Sequence, residues 1–198
     1  NVQVHRGFFD GFGSTKQRAV DLSPTDWVFL VDADERPDSQ LIESLRDFDY
    51  ADSRKLGMVN RRNYFCGKLV KYSGWGRDRL LRVFHRGTAH LNQRLIHEAV
   101  EGVGDQRELR GYLDHFSINS IGALLGKFDH YAMLKNRQVH RQHSAPFVAV
   151  KFLLRFLHTY FIRLGFLDGR HGFIISFANA SFVVWCFAKQ LEMDDPGE

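Results

Sequence analysis

The sequence predicts an α/β fold, in which a mixed sheet flanked by helices precedes a helical C-terminal region. Residues 26–35 read DWVFLVDADE. An apolar run that enters an acidic cluster in this way is typical of a strand buried on both faces of a parallel sheet. The first fifty residues alternate helix, strand and helix, which is the repeat of a doubly wound sheet. From residue 147 the chain becomes strongly apolar, and this shift predicts the separate helical region.

Local signals predict the first three elements. Ser14–Leu22 reads as a short helix and Asp26–Val31 as the strand. Pro37 suits the first position of a second helix, where a backbone N–H is not needed. The apolar face of that helix is expected to comprise residues at helical spacing, namely Leu41, Ile42, Leu45 and Phe48.

Shorter strands follow, separated by glycines. They are Met58–Phe65, Lys68–Tyr72, Arg79–Phe84 and His90–Val100, and we expect them to be antiparallel or mixed and to extend the sheet. Ser120–Val139 then predicts an amphipathic helix. Its apolar side comprises Ile121, Leu124, Leu125, Phe128 and Leu134.

The C-terminal region combines basic and apolar residues. Lys151, Arg155, Thr159 and Arg163 recur every fourth position on an otherwise apolar helix, and Gly172–Ala188 carries no formal charge. That second stretch is at the lower limit of length for a bilayer span. A basic stripe beside apolar surface suits a helix that lies in the interface of an anionic membrane. A helical hairpin packed on the domain or on a second subunit is the alternative.

Length and composition exclude several classes of protein. At 198 residues, the chain fits one domain of ordinary size with a small addition. Its 27 Lys and Arg against 23 Asp and Glu leave a net charge of +4, a mild excess that argues weakly for anionic partners. We expect no nucleic acid partner, because the aromatic residues lie in apolar runs rather than among basic ones.

Cysteine usage and the first residues bear on location. Cys66 and Cys186 lie far apart in unlike contexts, which suggests a reducing compartment such as the cytoplasm. The chain begins with Asn1 rather than Met, and its first fourteen residues are neither a signal peptide nor a clean strand. We therefore expect a fragment whose N-terminal part is missing.

Asp32 and Asp34 predict a metal site beyond the end of the first strand. Ligands of open α/β sheets bind at the carboxyl ends of such strands. Two carboxylates at positions i and i+2 can hold a hard divalent cation that also binds a diphosphate. They repel each other unless a cation offsets their charge. An acidic turn after a core strand is the alternative.

Two further residues have roles that the local sequence leaves open. Glu98, late in the strand-like HLNQRLIHEAV, is either a general base or a solvent-facing strand residue. His97 precedes it, but Glu101 occupies the position of the second histidine of a zinc-protease H-E-x-x-H motif, so that motif is absent. His115 is either a metal ligand or a hydrogen-bonded structural residue.

Residues 73–87, SGWGRDRLLRVFHRG, combine glycines, an aromatic residue and arginines. Gly74 and Gly76 permit close approach of the backbone to a ligand. Trp75 looks exposed and can stack on the apolar side of a sugar ring. A tight hairpin turn with solvated arginines explains the same residues.

The order of these motifs resembles a known family. A basic helix start, DWVFLVDADE, SGWGRDRLLRVFHRG, LIHEAVEG and YLDHFS follow one another as in the inverting glycosyltransferases of family 2, which have the GT-A fold. The similarity is greatest to the branch of bacterial lipopolysaccharide inner-core glucosyltransferases. It covers nearly the whole chain, including RLGFLDGRHGF near the C-terminus.

The resemblance implies a role for each matching residue. Asp32 and Asp34 would bind Mg²⁺ or Mn²⁺ and the nucleotide diphosphate, and His115 would complete the metal site. Glu98 would be the catalytic base. The donor would also contact Lys16, Gln17 and Ala33. The acceptor side of the site would comprise Gly74, Trp75, Gly76, Arg79, Arg82 and His97.

The chain departs from the family pattern in two places. Members usually carry an Asn after the basic residue of the early helix, whereas Gln17 follows Lys16 here; Gln offers the same amide groups with a longer reach. The family's first strand and helix, with the Asp that reads uracil, would precede residue 1. The resemblance therefore implies a GT-A domain that lacks its first βα unit over residues 1–117. A flanking helix (118–145), a membrane-associating helical region (146–192) and a tail (193–198) would follow.

These expectations predict an inverting, metal-dependent transfer of a sugar from a UDP-sugar to a lipid-linked glycan such as the lipopolysaccharide inner core. Such an enzyme would work at the cytoplasmic face of the bacterial inner membrane, bound to its anionic surface, or in the cytoplasm. Metal-dependent nucleotidyl transfer is one alternative. The other is a truncated domain that docks on membranes without catalysis.

Overall fold

The computed structural model describes residues 2–76, 78–92, 99–138 and 144–194. The described residues form both helices and sheets, which confirms the mixed α/β class that the sequence predicts. The chain divides into two compact units. The first unit comprises residues 1–61 and 78–114, and the second comprises residues 62–77 and 115–198. The functional division at residues 117, 145 and 192 stays a prediction.

The described residues form the following elements. The helices are α1 (Phe12–Asp21), α2 (Ser39–Arg46), α3 (Ile121–Gln138), α4 (Ala145–Leu157) and α5 (Arg170–Asp194). The strands are β1 (Trp27–Phe29), β2 (Glu35–Pro37), β3 (Lys55–Phe65), β4 (Lys68–Val70), β5 (Asp78–His85), β6 (Ala89–Leu91), β7 (Val100–Gly102) and β8 (Asp105–Ile118). A π-helical turn (His158–Ile162) and a 3₁₀ turn (Gly165–Asp168) lie between α4 and α5.

Among the residues that the structure describes, the strand that precedes the acidic cluster lies at the edge of the main sheet. The main sheet has the order β1-β5-β3-β8-β2, with β4 paired to β3, while β6 and β7 form a separate pair. Strand β1 pairs antiparallel with β5, with Val28 opposite Phe84. The prediction of a strand inside a parallel sheet is therefore wrong for these residues.

The apolar run reflects two covered faces rather than parallel neighbours. Trp27 and Phe29 pack against one buried cluster of the first unit, which includes Leu41 and Phe48. Val28 and Leu30, which point the other way, pack against a second cluster of the same unit. A strand with both faces covered has the same apolar sequence whether its neighbouring strand is parallel or antiparallel.

Helix α2 begins two residues later than Pro37 predicts. Asp38 is its N-cap, and its Oδ1 accepts a hydrogen bond of 2.9 Å from the backbone N–H of Leu41. Pro37 lies instead at the end of β2. An Asp side chain satisfies an orphan N–H of the first turn, which Pro cannot do. Leu41 is fully buried as predicted, whereas Ile42 is exposed.

Several other boundaries also differ from the prediction. The segment His90–Val100 contains the end of β6 and the start of β7, and residues 93–98 lie outside the described part. The longest strand, β8, was not predicted as one element. In α3, Leu124 is buried in the core of the second unit, but Ile121 and Leu125 are exposed.

The C-terminal hairpin of the second unit is held by aromatic contacts. Phe152 packs edge-on against Phe177, and Phe156 against Phe173, with ring centroids 5.8 and 5.7 Å apart. The π-helical turn changes the register after Leu157, so Thr159 is buried rather than part of a basic stripe. The stripe that the sequence predicted is therefore interrupted at that position.

Both helices of the hairpin are long and apolar enough to cross a membrane, over Ala145–Ile162 and Arg170–Glu192. Only 11% of the first window and 28% of the second is buried inside the protein, whereas the core helix of a soluble domain would be mostly buried. Helix α4 exposes a row of large apolar side chains: Phe147, Val150, Leu153, Leu154 and Leu157. Lys151 and Arg155 are exposed beside that row.

Candidate active site

Two cations hold the side chain of Asp32 in the first unit. Lys16 Nζ, from α1, lies 2.6 Å from Asp32 Oδ1, and Arg82 Nη2, from β5, lies 3.1 Å from Oδ2. Burial raises the pKa of Asp32, but the hydrogen bond from Lys16 and the positive charge of Arg82 outweigh it and hold the pKa below its ordinary value of 3.8. Asp32 is therefore an ionised, partly exposed carboxylate whose two oxygens already contact cations.

A buried ion network supports this carboxylate. The fully buried side chain of Glu35 accepts hydrogen bonds through Oε1 from Arg82 (2.8 Å) and Arg61 (3.0 Å). Its other oxygen, Oε2, accepts a hydrogen bond of 3.0 Å from the backbone N–H of Asp32. Asp78 pairs with the far side of Arg61, which keeps the pKa of that guanidinium raised in spite of burial. The network connects β5, β3 and the acidic turn.

Sequence reasoning missed Glu35 and Arg61. Glu35 directly follows Asp-Ala-Asp, and Arg61 is a charged residue inside a predicted strand. Both positions could have been recognised in the sequence as candidates for an ion pair. Because charged residues are almost never fully buried unless they are paired, an Arg in a strand pattern predicts a buried carboxylate partner. Which carboxylate pairs with it depends on contacts between distant parts of the chain.

The rest of the acidic turn is more open. Its backbone closes through a hydrogen bond of 3.0 Å from the N–H of Glu35 to the carbonyl of Asp32. Ala33 is exposed, and Asp34 is half-buried. Asp34 also makes an interaction within the protein. The turn thus presents two carboxylates, of which Asp32 is held in place by its neighbours.

The predicted donor residue Gln17 is engaged within the protein. Its Oε1 accepts a hydrogen bond of 2.7 Å from the N–H of Leu91, and its Nε2 donates one of 2.8 Å to Asp21. The bond to Leu91 connects α1 to β6, and the neighbouring residue of the same helix, Lys16, contacts Asp32. A direct contact of Gln17 with the donor stays a prediction.

The two arginines assigned to the acceptor side differ in environment. Arg82 is buried and contacts Asp32 and Glu35. Arg79 is exposed on β5 and pairs with Glu108 and Asn60. Within the first unit, only Arg82 of the two belongs to the network around the acidic turn.

The glycine-containing loop lies in the second unit and is ordered by packing. Trp75 is half-buried and packs edge-on against Phe65, with ring centroids 6.2 Å apart. A Cβ added at Gly76 would lie 1.5 Å from the carbonyl oxygen of Lys71. The expectation that Trp75 is exposed is wrong, because its ring covers the apolar core of this unit.

His115 is a hydrogen-bonded residue in the structure. Its Nδ1 lies 2.7 Å from Asn63 Oδ1, and Asn63 Nδ2 donates 2.9 Å to the carbonyl of Trp75. Among the described residues, no group of three or more His, Cys, Asp and Glu side chains is placed to hold a metal ion. His115 belongs to the second unit and Asp32 to the first, and its role as a metal ligand stays a prediction. His97 and Glu98 lie outside the described residues.

Comparison with known proteins identifies a similar protein of bacterial lipopolysaccharide synthesis. The chain matches no model of a known protein family. It is 30% identical over 186 residues to the lipopolysaccharide core biosynthesis glycosyltransferase LpsC of Rhizobium meliloti strain 1021. The aligned part covers 90% of this chain and 68% of LpsC.

Proposed function

The chain belongs to the glycosyltransferase family of this lipopolysaccharide core enzyme, and we propose that it transfers a sugar from a nucleotide donor to a lipid-linked glycan. The observation that carries the proposal is the similarity over 90% of the chain, which includes the acidic turn with Asp32 and Asp34. The donor class is a UDP-sugar and the acceptor class is the lipopolysaccharide core. The GT-A fold and inversion at the anomeric carbon are part of the same proposal.

The acidic turn supports the donor half of the proposal. Asp32 stays ionised, and its neighbours Lys16 and Arg82 bring two positive charges to the place where a diphosphate would bind. An anionic leaving group is stabilised by fixed cations of this kind.

The donor set of the turn fits a hard divalent cation. Mg²⁺ is commonly held by one or two carboxylates together with substrate phosphates and water, so the pair Asp32 and Asp34 suffices on the protein side. A bound Mg²⁺ or Mn²⁺ would neutralise charge on the leaving diphosphate. Lys16 would then exchange its contact with Asp32 for the diphosphate.

Glu98 is the proposed general base, by its match to the family pattern. It would take the proton of the acceptor hydroxyl, whose oxygen attacks the anomeric carbon from the face opposite the diphosphate. The bond from that carbon to the diphosphate oxygen breaks, and the nucleoside diphosphate leaves. The configuration at the anomeric carbon inverts.

The C-terminal hairpin supports a lipid-linked acceptor. The exposed apolar row of α4 lies beside Lys151 and Arg155, an arrangement that suits a helix in the interface of an anionic membrane. We infer that the enzyme binds peripherally to the cytoplasmic face of the inner membrane. There it would meet acceptors that are anchored in the same surface.

The transfer assay uses the full-length protein, a UDP-sugar, Mn²⁺ and lipopolysaccharide core acceptor in vesicles. Wild-type protein is expected to release UDP and glycosylate the acceptor. Asp34→Ala should lower kcat/KM on the order of 10²–10³-fold with the fold intact, because it removes a ligand of the charge-stabilising centre. The matched control is Asp26→Ala, an exposed Asp that pairs with Arg86 just before β1.

Three outcomes would contradict the proposal. Wild-type turnover by Asp34→Ala would remove the carboxylate pair from the mechanism. Pyrophosphate released from a nucleoside triphosphate, in place of UDP from a UDP-sugar, would establish nucleotidyl transfer instead. Vesicle binding without metal-dependent UDP binding would identify a docking domain without catalysis.

A further inference from the structure

A buried carboxylate of the second unit holds the glycine-containing loop. Asp168 is only 8% exposed, and it accepts hydrogen bonds from the backbone N–H groups of Lys71 (3.1 Å) and Tyr72 (2.9 Å). The hydroxyl of Ser73 lies 3.3 Å from the same carboxylate. A buried carboxylate that accepts several N–H bonds orients its donors. Asp168 is thus bonded to three consecutive residues that lie almost one hundred positions earlier in the chain.

These bonds impose an unusual backbone on the loop. Ser73 and Gly74 both have positive φ, 59° and 82°, and the N–H of Trp75 closes the turn on the carbonyl of Tyr72 at 2.9 Å. Two successive left-handed residues define a type I′ turn. Ser does not favour that conformation without support, and the bond from its hydroxyl to Asp168 supplies support.

The turn between the two apolar helices is packed against the same loop. The N–H of Ser73 donates 2.9 Å to the carbonyl of Arg163, just after the π-helical turn. A Cβ added at Gly165 would lie 2.8 Å from Ser176 Oγ and 3.0 Å from Ser73 Oγ. One at Gly172 would lie 1.8 Å from the carbonyl oxygen of Gly165. Only glycine fits at these two positions, so the turn and the loop form one packed structure.

We propose that Asp168 is a positioning residue for acceptor binding. It fixes the loop of residues 71–76 to the turn between the two apolar helices. The inference rests on the proposed function and on the family resemblance, which assigns Gly74, Trp75 and Gly76 to the acceptor side. Its consequence is that the hairpin which contacts the membrane also sets the position of the loop. Asp168 acts through the loop and does not touch the reacting atoms.

The test compares Asp168→Asn with Asp129→Asn, an equal chemical change at a partly exposed Asp of α3 that pairs with Lys189. Asn has a single acceptor oxygen, so its NH₂ group faces a donor and at least one bond to the loop is lost. Amide hydrogen exchange of residues 68–76 should become about ten-fold faster in Asp168→Asn, the effect of losing a buried hydrogen bond. Exchange in β5 of the first unit should stay at the wild-type rate, as should all exchange in Asp129→Asn outside α3 and α5.

The kinetic arm separates positioning from loss of structure. In the transfer assay, Asp168→Asn should raise the KM for the vesicle-bound acceptor about ten-fold and leave the KM for the UDP-sugar within about two-fold. Ser73→Ala removes one hydroxyl and leaves both backbone bonds, so it should raise the acceptor KM by a smaller factor, about three-fold. This milder variant tests the proposal if Asp168→Asn does not fold.

Each contrary result overturns a defined part. Faster exchange of the loop with an unchanged acceptor KM would overturn the positioning role. Wild-type exchange and kinetics in both variants would overturn the hydrogen-bonded loop itself. If wild-type protein shows no transfer at all, the proposed function fails, and the exchange experiment still decides whether Asp168 fixes the loop.

Discussion

The two units of the chain differ in the partners of their charged side chains. The first unit buries an ion network. The side chain of Glu35 is fully buried between Arg61 and Arg82, and Asp32 lies between two cations. The second unit keeps the charges of α4 at the surface beside apolar side chains. Its buried carboxylate, Asp168, is bonded to backbone N–H groups and a hydroxyl.

This difference indicates which carboxylate can exchange its binding partners. The contacts of Asp32 come from the ends of flexible side chains, so a ligand cation can replace Lys16 without breaking any backbone hydrogen bond. Two of the three donors of Asp168 are main-chain N–H groups, which cannot leave without rearranging the loop. The first arrangement suits a binding site, and the second suits a structural joint.

The largest expected effect comes from breaking the buried network of the first unit. Glu35→Gln leaves the buried guanidinium of Arg82 and the half-buried one of Arg61 without their shared anion. Removing one partner of a buried ion pair costs about 3–5 kcal/mol, so the free energy of unfolding in urea should fall by about that amount. Glu43→Gln, an exposed residue of α2, is the matched control and should change it by less than about 0.5 kcal/mol. An equal, small effect of both substitutions would show that the network does not stabilise the unit.

A second, smaller effect concerns the pH dependence of stability. The pKa of Asp32 is lower in the folded chain than its ordinary value of 3.8, so its ionised form stabilises the fold. This contribution is fully present above about pH 4 and is lost as the pH falls through the folded pKa. The difference in free energy of unfolding between wild type and Asp32→Asn should therefore shrink below about pH 4.

Lys16→Met sharpens this experiment. It removes the cation that hydrogen-bonds Asp32, so the pKa of Asp32 should move back toward its ordinary value. The contribution of Asp32 to stability should then be lost at a higher pH than in the wild type. A difference between wild type and Asp32→Asn that does not vary with pH would show that the cations do not stabilise its charge.

The sequence predicted the parts of the fold that depend on local signals. Helix α1, the apolar strand before Asp32 and the long helix α3 follow from residues within a few positions of each other. The pairing of β1 was not predictable in that way, because two covered faces produce one apolar run in either strand orientation. The extent of β8 was missed because its first four residues, 105–108, are exposed and include no apolar residue.

The same distinction between local and long-range contacts applies to the candidate site. The pair Asp32 and Asp34 is visible in ten consecutive residues, whereas the contact of Asp32 with Arg82 joins positions fifty apart. The bonds of Asp168 to the loop join positions 95 to 97 apart. Such contacts follow from the packing of whole elements, and a single sequence taken by itself carries no record of them.

The smallest expected effect concerns the exposed charges of the second unit. Each basic residue near an anionic membrane surface contributes about 1 kcal/mol, so Lys151→Gln or Arg155→Gln should weaken binding to anionic vesicles roughly five-fold at low salt. Arg46→Gln, an exposed residue of α2 in the first unit, should leave binding unchanged.

Vesicle composition then decides between the two possible origins of membrane binding. If the exposed charges of α4 attract anionic lipid, the loss in Lys151→Gln should vanish with neutral lipid and at high salt, because salt screens exposed charges. Equal binding of wild type and variant to anionic vesicles would mean that the apolar row alone holds the helix. In that case the charges of α4 would be solvated and would not contribute to membrane binding. The two units would then differ only in the buried charges of the first unit.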